Sequence, residues 1–301
     1  MKNLTGFSVI IPTYNRRENL KACLKSVQSL NFKNFEVIIV NDASTDGIKD
    51  YLDNLKDPTI KVIHNLVNSG QAVSRNEGAK MAKYDFIAFT DDDCLVNPQW
   101  LNELAKGFAD PAVGFVFGAT YYISRTYRGY FPERIVTNQN GRWPGSGNLA
   151  YRKEIFQKLG GFNSYFLKYN NEDSELAIRA VSQGIKYKRA PAAVIYHQKQ
   201  FWNGKTLLNS ARNQSLWPVM KKMYPHHYQT FKSPVFGGLL VSPQEYLYIL
   251  FFPVFVCLLL IRYLLHGQKD LLIFFTKWPV WLILKRLCIY NEAFKNRVFL
   301  I

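Results

Sequence analysis

The chain has 301 residues, with 38 Lys and Arg against 22 Asp and Glu for a formal net charge of +16, and it is 48% hydrophobic and 15% aromatic. That length supports one large core or two modest ones, and the composition excludes a disordered, collagenous or polytopic membrane chain. The four cysteines, Cys23, Cys94, Cys257 and Cys288, lack CxxC spacing, which argues against a disulfide framework or zinc ribbon and suits a reducing compartment.

The first residues carry no apolar segment of the kind found in cleaved secretion signals, so secretion by that route is not expected. Phe7 to Ile11, Glu36 to Val40, Ile60 to Ile63 and Asp85 to Phe89 then read as strands, rich in Val, Ile and Phe and nearly continuous in hydrophobicity. Such runs suit strands covered on both faces. Leu20, Leu24, Val27 and Leu30 recur at helical spacing between the first two, as do Ile48, Leu52 and Leu55 in the next connection. Gln71 to Met81 is Ala-rich and helical. Strand and helix alternating in this way predict a parallel doubly wound sheet, whose ligands sit beyond the carboxyl ends of the strands.

Roughly residues 113 to 200 are less regular. Arg142 to Asn148 is a turn-rich loop, and Glu172 to Gln183 reads as a helix with acids in its first turn and Gly184 at its stop. After about residue 233 the composition turns apolar, with Tyr246 to Leu265 and Leu271 to Leu284 as the longest runs. The first matches the about 20 residues needed to cross a ~30 Å hydrocarbon core; the second suits a hairpin arm or an interfacial helix. Flanking basic residues favour a cytoplasmic face with anionic lipid, and an apolar run this long favours membrane contact over a pair of soluble core helices.

Polar residues collect after the strands: Pro12-Thr13-Tyr14-Asn15, Asn41-Asp42 to Asp46, and Asp91-Asp92-Asp93. Neither GxGxxG nor GxxxxGK[ST] occurs in these connections, which counts against a dinucleotide dehydrogenase and a P-loop NTPase. Three adjacent carboxylates repel one another unless a cation or a proton relieves them, so the triplet is either a Mg2+ or Mn2+ site or a solvated acidic turn. Asp42 either accepts hydrogen bonds from a nucleobase or sugar, or caps a helix near Ser44. Arg75 either pairs with phosphate or carboxylate or is a charge on a helix surface. Glu172 and Asp173, at a helix start, either supply a base or cap the helix.

Together these pieces resemble the family-2 glycosyltransferases, inverting enzymes of the GT-A fold, over roughly residues 7 to 200. The carriers are Phe7 to Asn15, Val40 to Asp46, Asn68 to Gly78, Asp91 to Asp93, Gly147 to Arg152, Gly160-Gly161-Phe162 and Glu172-Asp173, with Arg179 and Gly184 downstream. The resemblance implies an α/β, GT-A Rossmann-like, mostly parallel sheet with helices on both faces. Residues 1–232 would be the catalytic domain and 233–301 a C-terminal membrane-associated region of apolar helices.

By the same resemblance, Pro12, Thr13, Tyr14 and Asp42 look like the base- and ribose-binding part of a nucleotide-sugar site, and Arg75 like a donor-site residue. Asp91 and Asp93 match the D-x-D pair, with Asp91 toward ribose or metal and Asp93 toward the cation; Asp92 lies between them in the donor site. Asp173 matches the catalytic base and Glu172 its acceptor-positioning neighbour. His197 resembles a histidine that completes the metal shell, and Arg212 one that reaches the leaving diphosphate.

Asn41 stands where an acid is frequent in the family, and no true QxxRW follows, since Gln198 to Trp202 has Phe201 in place of the Arg; processive polymer synthesis is disfavoured. The implied partners are a UDP-sugar, a glycan or lipid-linked acceptor and an anionic membrane surface, with no nucleic acid, because no basic-aromatic or helix-turn-helix motif occurs. The alternatives are a polyprenyl-phosphate glycosyltransferase and a noncatalytic, membrane-attached sugar-nucleotide-binding protein.

Overall fold

A computed structural model describes residues 6–123, 138–198, 204–231 and 271–298, with a few isolated positions between 250 and 261. The chain divides into two compact units, the first gathering Met1–Ile123, Val136–Leu167 and Glu172–Gln198 and the second chiefly Lys199–Ile301.

The first unit is built on one eight-stranded sheet. Strand β1 (Phe7–Thr13), helix α1 (Arg17–Gln28), β2 (Phe35–Asn41), α2 (Ile48–Asp53), β3 (Ile60–His64), α3 (Gln71–Met81) and β4 (Phe86–Phe89) alternate as their hydrophobic patterns predict. Next come β5 (Cys94–Val96), α4 (Trp100–Gly107), β6 (Val113–Tyr122), β7 (Leu149–Arg152), α5 (Lys153–Lys158), α6 (Glu172–Ser182) and β8 (Lys186–His197). The order across the sheet is β3-β2-β1-β4-β7-β6-β8-β5.

Strands β1 to β4 pair in parallel, but β7 runs antiparallel between β4 and β6, and β5 antiparallel beside β8. The sheet is therefore mixed, with six of its eight strands running the same way, as a mostly parallel sheet requires, and β7 and β5 running against them. Strands β6 and β8 open and close the irregular-looking middle of the sequence. β8 carries Pro191 and alternating exposed charges, and its pairing with β6 shifts register at Gly118/Ala119, so neither reads as a clean apolar run.

Both faces are covered. Phe7, Val9 and Ile11 of β1, with Val37 and Ile39 of β2, pack in one cluster with Leu20, Leu24 and Val27 of α1 and Trp100, Leu101 and Leu104 of α4. On the opposite face α3 comes so close that a Cβ at Gly78 would lie 2.6 Å from Ile10 Cγ2 and 3.3 Å from Val40 Cγ2. Phe89 continues that face, stacking edge-on with Phe162 and tilted against Phe156 of α5. Burial on this scale, about 1.5–3 kcal/mol for each large apolar side chain, fixes the strand ends on which the site is built.

The second unit contains α7 (Gly204–Asn213), α8 (Leu216–Met223) and α9 (Leu271–Asn296). The apolar run expected to end at Leu284 continues in α9 for 26 residues and takes in Lys285, Arg286, Glu292 and Lys295. Among the described residues no helix is long and apolar enough to cross a membrane. This corrects a spanning role for the second apolar run. The expected run from Tyr246 to Leu265 falls mostly outside the described residues.

Candidate functional site

The turns after β1 and β2 are laced together. Asn15, in a left-handed conformation at φ 53°, accepts from Thr45 N at 2.7 Å, its own N–H donates to Ser44 Oγ at 2.9 Å, and Arg17 N donates to Asp46 at 2.9 Å. Pro12 and Thr13 are buried beneath this lacing, while the Tyr14 ring is 48% exposed. No helix starts near Ser44, since α2 begins at Ile48 behind Gly47; Asn41 instead closes a turn, its Oδ1 accepting from Ser44 N at 3.1 Å while its amide meets His64 Nδ1 at 3.0 Å. The amide thus serves the scaffold at the position where family members often carry an acid.

Asp42 is buried and gathers the loop between β3 and α3. It accepts from Asn65 Nδ2 at 2.9 Å, Ser69 N at 3.0 Å and Gly70 N at 2.8 Å. Three donors on one carboxylate hold that loop against the end of β2, beside the Pro12–Tyr14 turn.

The acidic triplet follows β4, and its members turn in different directions. Asp91 Oδ1 accepts from Arg75 Nη2 at 2.6 Å. Asp92 accepts from Thr13 Oγ1 at 2.8 Å and from Arg16 Nη1 at 3.2 Å. Burial pushes the Asp92 carboxyl up to about 7, with neighbouring Asp93 and Asp91 adding to the rise and Arg16 opposing it. Asp93 presents Oδ2 to Arg16 at 2.6 Å and Oδ1 to His197 Nε2 at 3.5 Å. His197 Nδ1 lies 2.8 Å from the Gln198 carbonyl, which can only accept, so Nδ1 carries a hydrogen and Nε2 is the ring nitrogen turned toward Asp93. Asp93, Cys94 and His197 place one oxygen, one sulfur and one nitrogen within 4.8 Å of one another.

Arg75 is fully buried and joins this triplet to the second acidic pair, with Nη1 donating to Glu172 Oε1 at 2.7 Å while Nη2 holds Asp91. Burial alone would make the guanidinium less basic, but Asp91 and Glu172 outweigh it and raise its affinity for the proton. Glu172 is raised by burial against the opposing pull of Arg75.

Asp173, one residue along, accepts from Ser146 N at 2.9 Å and from Ser174 N at 2.6 Å. Burial raises its carboxyl in spite of those donors and Arg75. The Ser146–Asn148 turn that supplies the first donor is itself pinned by Asn148, which accepts from Trp100 Nε1 at 2.8 Å and donates to Ala119 O and Ala193 O at 2.9 and 2.8 Å. A Cβ at Gly147 would come within 3.1 Å of Asp91 Oδ2, so this turn closes directly over the acidic triplet.

The expected residues therefore converge in large part. Thr13 meets Asp92, Asp93 meets His197, and Asp91, Arg75 and Glu172 form one chain of ion pairs beside Asp173. Arg75 is no surface charge, and Asp91 faces it rather than joining the oxygen–sulfur–nitrogen cluster. Arg212 lies in α7, within the second unit. Sequence reasoning passed over Arg16, Cys94 and Ser146. A cation immediately after the Tyr14-Asn15 turn and a thiol immediately after the triplet were the available signals for the first two. Ser146 acts through its backbone and left none.

The model of the family described as "Glycosyl transferase family 2" matches residues 8–176. A UDP-Glc:alpha-D-GlcNAc-diphosphoundecaprenol beta-1,3-glucosyltransferase, WfaP of Escherichia coli, is 31% identical over 194 residues, covering 64% of this chain and 76% of the relative. Chondroitin synthase of Escherichia coli is 25% identical over 242 residues, 65% of this chain but 35% of that much longer protein. In three dimensions the mannosyltransferase PcManGT from Pyrobaculum calidifontis, solved with GDP-Man and Mn2+, superposes with a TM-score of 0.61 at 18% identity, covering 97% of this chain and 86% of its own. TarS 1-349 of S. aureus, solved with UDP-GlcNAc, gives 0.56 at 20% identity over 71% and 66% of the two chains. These two likenesses establish a GT-A-like mixed α/β fold. With the family match spanning more than half the chain and the acidic site standing at the strand ends it covers, this chain belongs to glycosyl transferase family 2 and is a glycosyltransferase.

Proposed function

We propose that the protein transfers a sugar, with inversion, from a UDP-sugar to a hydroxyl of a lipid-linked glycan acceptor. The observation that carries this reading is Arg75, which ties Asp91 and Glu172 into one assembly at 2.6 and 2.7 Å and so sets a donor-type and an acceptor-type acidic group side by side. In it Asp173 takes the proton of the acceptor hydroxyl as that oxygen attacks the anomeric carbon, and attack opposite the leaving group inverts the configuration. The raised basicity of the Asp173 carboxylate suits a general base. Glu172, fixed by Arg75, positions the acceptor side, and the exposed Tyr14 ring over Pro12 and Thr13 offers the base a stacking surface.

Asp93 and His197, with Asp91 nearby, would hold the Mg2+ or Mn2+. The chemistry of the donor set fits, since a carboxylate oxygen and an imidazole nitrogen already face each other at 3.5 Å. When bound, that cation neutralises charge on the departing diphosphate. Arg16, 2.6 Å from Asp93, adds positive charge for the same group.

The acceptor assignment is supported by the printed name of WfaP, whose substrate carries diphosphoundecaprenol. A hydroxyl acceptor is preferred to a polyprenyl phosphate because a phosphate is already ionised and needs no base such as Asp173. Residues 1–232 act as the catalytic part, and the basic, apolar 233–301 region rests on the anionic cytoplasmic face of the membrane, where such acceptors are carried.

Asp173→Asn is expected to cut turnover by about 10²–10⁴-fold while UDP binding survives, because only the base is lost. Turnover scored as UDP release with membranes as the acceptor source measures this, and near-normal turnover would remove Asp173 from the base role. Asp93→Ala is expected to abolish the part of UDP affinity that depends on Mn2+. Calorimetry that finds the same affinity with and without Mn2+ in both proteins sinks the metal reading.

A further inference from the structure

The pairing of β5 with β8 sets Cys94 directly opposite His197. Opposed residues on antiparallel strands project to the same side of the sheet, so register alone brings a thiol to a metal-type imidazole. Asp93 Oδ1 completes the group, 3.8 Å from Cys94 Sγ and 3.5 Å from His197 Nε2. The other Asp93 oxygen is turned away to Arg16 at 2.6 Å, so the carboxylate divides its two oxygens between a cation and the sulfur–nitrogen pair. The hydrogen bond from His197 Nδ1 to the Gln198 carbonyl orients the ring as outer-shell partners orient metal-binding histidines. On its remaining side Sγ meets little bulk, because Gly147 has no Cβ; one built there would lie 3.4 Å from the sulfur.

We propose that Cys94 is a third protein ligand of the cation held by Asp93 and His197, giving an O, N, S donor set that takes thiophilic divalent ions such as Co2+, Zn2+ and Cd2+ in preference to Mn2+ and Mg2+. The inference rests on the metal reading proposed above. The separations from Asp93 Oδ1, 3.5 Å to Nε2 and 3.8 Å to Sγ, suit ligands on one four-coordinate ion, and Sγ and Nε2 lie within 4.8 Å of each other; the fourth position would be left to a diphosphate oxygen. Sulfur supplies the selectivity, since a thiolate favours softer ions over the hard-oxygen ions the acidic triplet suggests. On binding, the S–H bond breaks, a metal–sulfur bond forms and the proton leaves to solvent.

The test uses the full chain, stripped of metal and titrated with Co2+, Cd2+ and Mn2+, each alone and with UDP, followed by absorption and by calorimetry in buffers of different ionisation enthalpy. The wild type should show a thiolate-to-cobalt charge-transfer band and release about one proton per ion. Cys94→Ser should retain Mn2+ binding, lose the band and bind Cd2+ about tenfold or more weakly. A chain with Cys23, Cys257 and Cys288 all changed to Ser should keep the band, a readout that does not depend on the folding of Cys94→Ser. Co2+ binding by the wild type without a thiolate band, or a band that survives Cys94→Ser, overturns the cysteine ligand and leaves Asp93 and His197 as a metal pair. Failure of the wild type to bind any of the three ions with UDP overturns the metal reading and this inference with it.

Discussion

At the end of β2 the carboxylate of Asp42 is met by the backbone amides of Ser69 and Gly70 and the side chain of Asn65. At the turn from β4 to β5 the carboxylates of Asp91, Asp92 and Asp93 are met by Arg75, Arg16, Thr13 and one another's charge. Both are strand-end acids in one sheet, yet the first is neutralised by fixed dipoles and the second by side-chain cations under mutual repulsion. Fixed dipoles lock a loop. Crowded charges held by a buried arginine leave an excess of negative potential that an incoming cation relieves, so the second arrangement is the one suited to chemistry.

The largest expected effect comes from removing the cation between the acidic groups. Arg75→Met should destabilise the protein by about 3–5 kcal/mol, because Asp91 and Glu172 lose their shared partner while Glu172 stays buried. Urea denaturation measures it, and a loss of no more than about 1–3 kcal/mol would place the triplet in the same class as Asp42.

Next comes the pH response of Asp92 in chelator-treated protein. Its carboxyl sits near 7 in the folded chain against an ordinary value of 3.8, so the folded state binds the proton more tightly than the unfolded one. Stability is therefore unaffected by Asp92 below about pH 4, falls as pH rises toward 7, and has lost up to about 4 kcal/mol above that. Asp92→Asn should flatten this slope in thermal melts across that range. A variant as pH-sensitive as the wild type would assign the slope to other groups.

The smallest effect belongs to the dipole-neutralised acid. Asp42→Ala should cost about 1–3 kcal/mol, the penalty for stranding backbone donors, and should loosen the Asn65–Gly70 loop without steepening the pH dependence. Hydrogen exchange at the Ser69 and Gly70 amides reads this directly, and unchanged protection there would break the contrast.

How much of this was legible in the chain depends on how local the cause is. The first four strands and three helices stand where their apolar patterns place them, because β1, β2 and β4 are buried almost throughout, β3 at the sheet edge is half-buried, and the helices bury a stripe of residues. Strand β6 did not announce itself, and β8 read as strand-like only over Ala192 to Tyr196, since a register shift and exposed charges at Lys186, Lys188 and Arg189 break the period along them. The acids at Asp91–Asp93 and Glu172-Asp173 were readable as residues, but their partners were not. Arg75 reaches its two carboxylates across 16 and 97 positions, and His197 meets Asp93 only because β8 pairs with β5.

The amino-acid order alone thus settled that the first four apolar runs become strands, where they end, and that acidic residues stand beyond two of those ends, since burial and periodicity act over a few residues. The packed chain decided that β7 runs antiparallel, that Arg75 is a buried bridge rather than a surface charge, and that Cys94 faces His197. Those outcomes follow from strand register and close helix–sheet approach, which couple residues far apart in sequence and leave no mark on any single stretch of it.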